Sequence, residues 1–413
     1  MSNTEKEFTC IQPTYVKYFK CEGDICNARC CKGFQVDIDR ATHEKYKSIN
    51  DKRIRSTILN SLVWNKPSST YRMYLKPGAV CPMLMPDCLC YIQKNFGHDF
   101  LSDVCADYPR RTFVIDDLVL RSMALTCPIA ARLALLNPEP MAFEQNTFKT
   151  THSGSFFYRS VNSVPNRKHL ITLMTFSGAI LQDRRLSINQ RLAALGFVLS
   201  EADGLISNGR EDDLKLIDHI YHTDSYFNQL TEKINTLKFN RQAYISIMFA
   251  LIDKIFSKAV IYYAPDQRNF AKYPLQAFDF VDKQDKKLPE LFDLYDKNID
   301  IYKKIAHRPF NHVLENYLVH SFFAGIYPCQ IPGTLMSNYF LFLTLYKFFE
   351  FGLISMAAVM KERFSIYDLL EFAERFCNRV DHSNLFAQLT LNYLAKPQQW
   401  PLELMQSLID FEV

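Results

Sequence analysis

The chain has 413 residues, 48% of them apolar and 22% charged, with a formal net charge of +4. That composition supports a large packed core, excludes a disordered chain, and argues against a nucleic-acid partner. Only 12 residues are glycine, none of them one residue apart from another, and the sole G-x4-G (Gly204 to Gly209) is followed by Arg210-Glu211; the dinucleotide-type glycine loop and the P-loop are therefore both excluded.

Along the chain, cysteine comes first. Ten of the 12 cysteines fall within the first 127 residues: Cys10, Cys21, Cys26, Cys30, Cys31, Cys81, Cys88, Cys90, Cys105 and Cys127. Such clustering means disulfides or a metal site. The opening MSNTEKEFTC holds no apolar run behind a basic start, so no secretory signal is read. The expectation is a reducing, cytoplasmic compartment, with metal or iron–sulfur ligation rather than disulfides.

The sequence predicts a mainly α protein in three parts: a cysteine-rich metal- or iron–sulfur-binding region over 1–140, a linker over 141–167, and an all-helical body over 168–413. Charge divides at the same place. Residues 1–140 hold 19 Lys+Arg and 15 Asp+Glu, whereas the remainder holds 29 of each. Short strands are expected at Phe34–Ile38 and Phe113–Leu120. Beyond Arg167, helix follows helix. Ser187 precedes INQRLAALGFVLSEAD, in which Ile188, Leu192, Leu195 and Leu199 share one face. Asn240–Ala264, Pro309–Tyr327 and Ser337–Arg363 read as longer apolar helices. Lys347 and Glu350 interrupt Tyr339–Met360, leaving apolar runs too short to span a bilayer. No transmembrane segment is expected, and peripheral membrane contact is the minority alternative.

The cysteine spacing is C-x4-C-x3-C-C for Cys21, Cys26, Cys30 and Cys31, followed by CPMLMPDCLCYIQ, CADYPRR and LTCPIAARL. Adjacent cysteines do not both chelate one mononuclear ion comfortably, but they can serve two centres. The paired C-x2-C of zinc knuckles is missing, while an all-thiolate set suits iron–sulfur clusters as well as zinc. The radical S-adenosylmethionine spacing C-x3-C-x2-C fails because position 33 is glycine. Lys20, Arg29, Lys32, Arg110, Arg111 and Arg121 are placed to offset thiolate charge. Asp37 and Asp39 read as a solvated face or a helix N-cap for Ala41–Lys47; the H-x-x-H of His219 and His222, with Asp218, has helical spacing that could bring two imidazoles together, but without further ligands nearby a metal site there is the minority reading.

Taken in order, YVKYFKCEGDICNARCCKGFQVDID, CPMLMPDCLCYIQKNFGHDFLSDVCADYPRRT and SMALTCPIAARLALL resemble the flagellin lysine-N-methylase family of bacteria. The motifs cover residues 15–136. The resemblance implies a protein-lysine N-methyltransferase that moves a methyl group from S-adenosylmethionine to lysines of flagellin. It also implies an iron–sulfur cluster, [4Fe-4S] in type, held by Cys21, Cys26, Cys30, Cys31, Cys81, Cys90, Cys105 and Cys127. A wider group of zinc- or iron-chelating modules has a similar cysteine pattern, which keeps zinc as the alternative metal and a non-enzymatic scaffold as the alternative function. Phe34 stands where the family often has Trp. Cys88 stands where Gly is usual and reads as a non-ligand.

Overall fold

The structure is a computed structural model. It describes residues 6–23, 26, 29–33, 36–150, 157–158, 166–255, 268–279, 288–381, 384–394 and 402–411. The chain divides into two compact units, one formed by Met1–Leu133 with Ala142–Arg159, the other by Ala134–Met141 with Ser160–Val413.

The first unit contains more strand than its sequence suggested. Strand β1 is Lys6–Pro13, β2 Asp37–Ile38, β3 Leu62–Asn65, β4 Thr70–Met73, β5 Arg110–Ile115, β6 Leu118–Met123, β7 Phe143–Thr150 and β8 Phe157–Tyr158. A five-stranded sheet has the order β7-β1-β6-β5-β8, and a three-stranded sheet the order β2-β4-β3. The single strand expected over Phe113–Leu120 is a hairpin, Ile115 pairing with Leu118 around Asp116, whose φ is +55°. An aspartate tolerates that left-handed turn better than most side chains. The expected linker is also part strand. β7 pairs with the whole of β1, from Lys6 opposite Thr150 to Pro13 opposite Phe143. The polar side chains of FEQNTFKT suggest a loop, but the strand lies at the sheet edge, where one face stays wet. Of Phe34–Ile38, only Asp37–Ile38 is strand, and Phe34 and Gln35 lie outside the described residues.

The second unit is helical, as expected. Ser187 caps the helix Ile188–Ser207 through a reciprocal capping box with Gln190. Gly196 in that helix lets Tyr339 approach: a Cβ there would sit 2.6 Å from the tyrosine ring, and the Tyr339 hydroxyl donates to the Leu192 carbonyl at 2.9 Å. The expected helix over Asn240–Ala264 is described as Arg241–Ile255, and that over Pro309–Tyr327 as Asn311–Ala324. Leu335–Met360 forms the axis of the unit. This helix is long and apolar enough to cross a membrane by length and composition, its two charges notwithstanding, but its apolar window is wholly buried within the unit. Lys347 and Glu350 are paired inside it, and the Lys347 ammonium also donates to Asn189 Oδ1 at 2.8 Å. A buried charge is tolerable only when partnered in this way. Aromatic rings fill the surrounding space, with Tyr317 stacked on Phe349 at 3.7 Å and Phe278 on Phe351 at 5.3 Å. Cys377 is a buried member of this unit, and Cys329 is partly buried.

Candidate metal centre

Backbone pairing brings the distant cysteine segments together. Cys30 and Cys31 occupy a 3₁₀ turn, Arg29–Cys31. Immediately after it, Gly33 N–H donates to Ala79 O at 2.8 Å and Cys81 N–H to Cys31 O at 2.8 Å, which places Cys81 against Cys31. From Cys81 the chain closes on itself: Tyr91 N–H donates to Met83 O and Met85 N–H to Leu89 O. Cys90 thereby becomes the N-cap residue of helix Tyr91–Phe96. Ser102 caps the short helix Asp103–Asp107 that carries Cys105, and Cys127 directly precedes the helix Pro128–Leu135. The cluster rests on a small apolar core that includes Ile38, Tyr46, Ile58, Met73, Ile92 and Cys81 itself.

Mutual charge identifies which thiols are neighbours. Cys30 Sγ lies 4.0 Å from Cys31 Sγ. The Cys31 thiol also shares a hydrogen bond with Cys81. As shared donor, Cys31 is held far above the usual thiol range, while Cys30 and Cys81 are each lowered to about 7. Burial of the sulfur, opposed by the Ser102 hydrogen bond and assisted by the charges of Cys90, Cys81 and Cys30, raises Cys105 to about 12, although the residue as a whole keeps an exposed face. Burial, with Cys26 and Cys30 behind it, pushes Cys127 up to about 11. Cys21 is raised by burial, then by Cys30 and Cys26, and Cys90 by burial, with Cys81 and Cys30 as further causes. Each of the eight cysteines singled out in the sequence is thus within electrostatic reach of at least one other, and Cys30, Cys31 and Cys81 are in hydrogen-bond contact.

The remaining cysteines have other surroundings. Cys10 is buried in the five-stranded sheet against Val114 and Val119, and burial, opposed by Arg121 and assisted by Glu144, raises it to about 11. Cys88 has φ +61°, a backbone conformation that glycine adopts without strain. Burial alone pushes Cys329 up to about 12.

Two tyrosines frame the thiols. Tyr46, on helix Arg40–Lys47, is buried and feels Cys105, Cys90 and Cys81; nothing in its sequence context marks it. Tyr108 feels Cys127, Cys30 and Cys26, and its hydroxyl lies 3.0 Å from Thr126 Oγ1. Burial holds both phenols well above the usual tyrosine range, so they remain protonated. Of the basic residues expected nearby, Arg121 pairs with Asp107 at 3.3 Å, and Arg110 lies over the Phe19 ring. Burial and then Arg121 lower the Arg110 pKa, against Asp107 and Cys21. Asp39 caps helix Arg40–Lys47, accepting from Thr42 N–H at 2.8 Å, and Asp37 pairs with Arg72. His222 and Asp218 form a surface contact at 3.7 Å.

Eight soft thiols suit iron or zinc chemically. As the side chains are placed, no group of three or more His, Cys, Asp or Glu among the described residues is positioned to hold a metal ion.

Residues 175–408 match the family model described as the FliB lysine N-methylase C-terminal domain. The chain belongs to the FliB lysine N-methylase family. Membership supports protein-lysine N-methyltransferase activity. Among curated proteins, the chain is similar to the flagellar biosynthetic protein FliU of Salmonella muenchen, 32% identical over 160 residues, which are 38% of this chain and 95% of that one. It is also similar to the lysine-N-methylases of Salmonella choleraesuis and Salmonella typhimurium, each 33% identical over 145 residues. Those alignments cover 34% of this chain and 36% of each methylase. No solved structure matches the chain.

Proposed function

We propose that this protein transfers a methyl group from S-adenosylmethionine to lysine ε-amino groups of flagellin, and that its cysteine-rich unit holds an iron–sulfur cluster of the four-iron, four-sulfide type. The observation that carries the reading is the gathering of eight thiols, each within electrostatic reach of another, in a chain of this family. The flagellar name of one relative supports the substrate. A reducing cytoplasm is where twelve unbridged cysteines persist.

In the transfer, the lysine nitrogen forms a bond to the methyl carbon, the carbon–sulfur bond of the sulfonium breaks, and the nitrogen gives up a proton. An ordinary lysine ammonium has a pKa of about 10.4 and cannot attack until it is neutral; a desolvating site lowers that value. When bound, a cluster supplies a soft Lewis-acidic iron and a one-electron couple. Cys21, Cys26, Cys30, Cys31, Cys81, Cys90, Cys105 and Cys127 are the residues available to hold it. Tyr46 and Tyr108, protonated beside the thiols, can donate hydrogen bonds toward their negative charge.

The test is to incubate anaerobically purified protein with methyl-labelled S-adenosylmethionine and flagellin. Label in flagellin lysines is expected, and its loss in Cys30→Ala. Folded, metal-loaded protein that leaves flagellin unlabelled would contradict the reading. A colourless protein with stoichiometric zinc that still methylates would remove the cluster and leave the enzyme.

A further inference from the structure

We propose that the helical unit carries a binding pocket for a small amphipathic carboxylate, whose apolar body bears a polar oxygen that meets Thr390 inside and whose acid group meets Lys254 at the opening.

The helices Arg241–Ile255, Asn384–Leu394 and Leu402–Leu408 enclose, with the central helix Leu335–Met360, a cavity of about 230 Å³. Protein interiors are close-packed, and voids larger than a water molecule are few. The inner wall is made by Ile247, Leu251, Leu404 and Leu408, all of them buried. An engineered cavity of about 150 Å³ with this kind of wall stays dry and takes a benzene ring, so by volume there is room here for a body of roughly nine non-hydrogen atoms.

Two polar features interrupt the apolar wall. Thr390 lines the cavity, is 3% exposed, and has a hydroxyl without a hydrogen-bond partner. Threonines in the helices of this unit ordinarily turn the hydroxyl back onto the carbonyl four residues earlier, as Thr172, Thr175, Thr231 and Thr344 do. Thr390 makes no such bond to Phe386, and a buried hydroxyl left unpaired is costly. An oxygen on a ligand in the cavity would remove that cost. The second feature is the opening, where Ala250, Lys254 and Asn392 line the cavity and are exposed. Ala250 and Lys254 are four residues apart on one helix and so share a face. The Lys254 ammonium and the Asn392 amide can both donate to an anion. Among the described residues, no Asp or Glu lines the cavity to receive a cation. Hydrocarbon inside and a carboxylate at the rim is the chemistry that matches this lining.

The probe is 3-(4-hydroxyphenyl)propanoate, titrated calorimetrically into the full-length protein. It is compared with 3-phenylpropanoate, which lacks the ring oxygen, and with tyramine, which carries an ammonium where the probe has its acid. The hydroxylated acid should bind most tightly and tyramine not at all. Ala250→Phe, at an exposed position, places a ring over the opening and should abolish binding. Lys254→Met, also at an exposed position, should weaken both acids by about two- to fivefold. Thr390→Val should remove the preference for the hydroxylated acid and leave 3-phenylpropanoate bound as in the wild type. Thermal unfolding checks that each variant has folded, and the two exposed substitutions keep the test open if Thr390→Val has not. Failure of both acids to bind at millimolar concentration, or binding that survives Ala250→Phe in folded protein, would overturn the pocket. Tyramine bound as tightly as the acids would overturn the carboxylate assignment, and an unchanged preference in folded Thr390→Val would overturn the part given to Thr390.

Discussion

The helical unit is built around one helix in which 23 of the 26 residues of Leu335–Met360 are buried. In the cysteine-rich unit, the apolar cluster around Ile38 and Ile58 beneath the thiols is far smaller, with ten buried residues drawn from short helices, short strands and loops. The first arrangement supplies its own stability through apolar burial and ring packing. The second gathers thiols beside a small apolar cluster, and small cores gain proportionately less from burial. The same residue type consequently plays two parts. In the helical unit Cys329 and Cys377 take part in packing, whereas around Cys30 the cysteines act on one another.

The contrast can be broken at several points. The largest effect should come from Lys347→Met, which leaves Glu350 as a buried charge without its ammonium. It should cost the helical unit about 3–5 kcal/mol, read by denaturant unfolding. A cost below about 1 kcal/mol would mean that the pair is solvated and the unit looser than described.

The two classes of cysteine should also differ in reactivity. The thiolate is the species that iodoacetamide attacks. Cys30 is lowered to about 7 and exposed, whereas Cys329 is pushed up to about 12. In metal-free, reduced protein, labelling of Cys30 should rise as pH increases through about 7 and reach a plateau, while Cys329 stays unlabelled until strong alkali. At pH 8 the rates should differ by at least about a hundredfold, measured by peptide mass spectrometry. Equal rates would erase the distinction.

Gly196→Ala sharpens the packing side of the comparison. The new methyl would meet the Tyr339 ring and Met405 sulfur well inside contact distance, for about 1–3 kcal/mol of lost stability with no change in bound metal. Cys88→Gly is the smallest effect and has the opposite sign. It relieves a left-handed backbone at φ +61° and should stabilise the cysteine-rich unit by about 1 kcal/mol, again without loss of metal. Metal loss on that change would make Cys88 a ligand.

Local signals in the amino-acid sequence account for much of this organisation. Helix periodicity, the Ser187 cap and the Asp39 cap each depend on residues a few positions apart, and each takes the form the sequence implies. The cysteines that lie within reach of one another are legible from their crowding and spacing. Cys88 reads as a non-ligand because the resemblance places glycine there, and its positive φ is a conformation that glycine adopts without strain. Long-range pairing is what the sequence conceals. β1 and β7 lie more than 130 residues apart in sequence, and neither carries strong alternation, so β7 reads as linker. The turn at Asp116-Asp117 is hidden within an apolar stretch that looks like one strand. Tyr46 is invisible in the sequence because its importance lies in what other segments bring to it. The strength of Leu335–Met360 as a core helix is likewise underestimated by its sequence, since only its neighbours show that Lys347 and Glu350 are partnered in the interior.

The most direct test of the central claim, that the cysteine-rich unit is a thiolate metal centre and the helical unit is not, is the iron and acid-labile sulfide content of anaerobically purified protein across single cysteine replacements. A brown wild-type protein with iron and sulfide in about equal amounts is expected, with a sharp loss of both in Cys30→Ala and Cys81→Ala, and no loss in Cys10→Ala, Cys88→Ala or Cys377→Ala. Iron and sulfide that survive replacement of Cys30 and Cys81, or that vanish with Cys377, would contradict it.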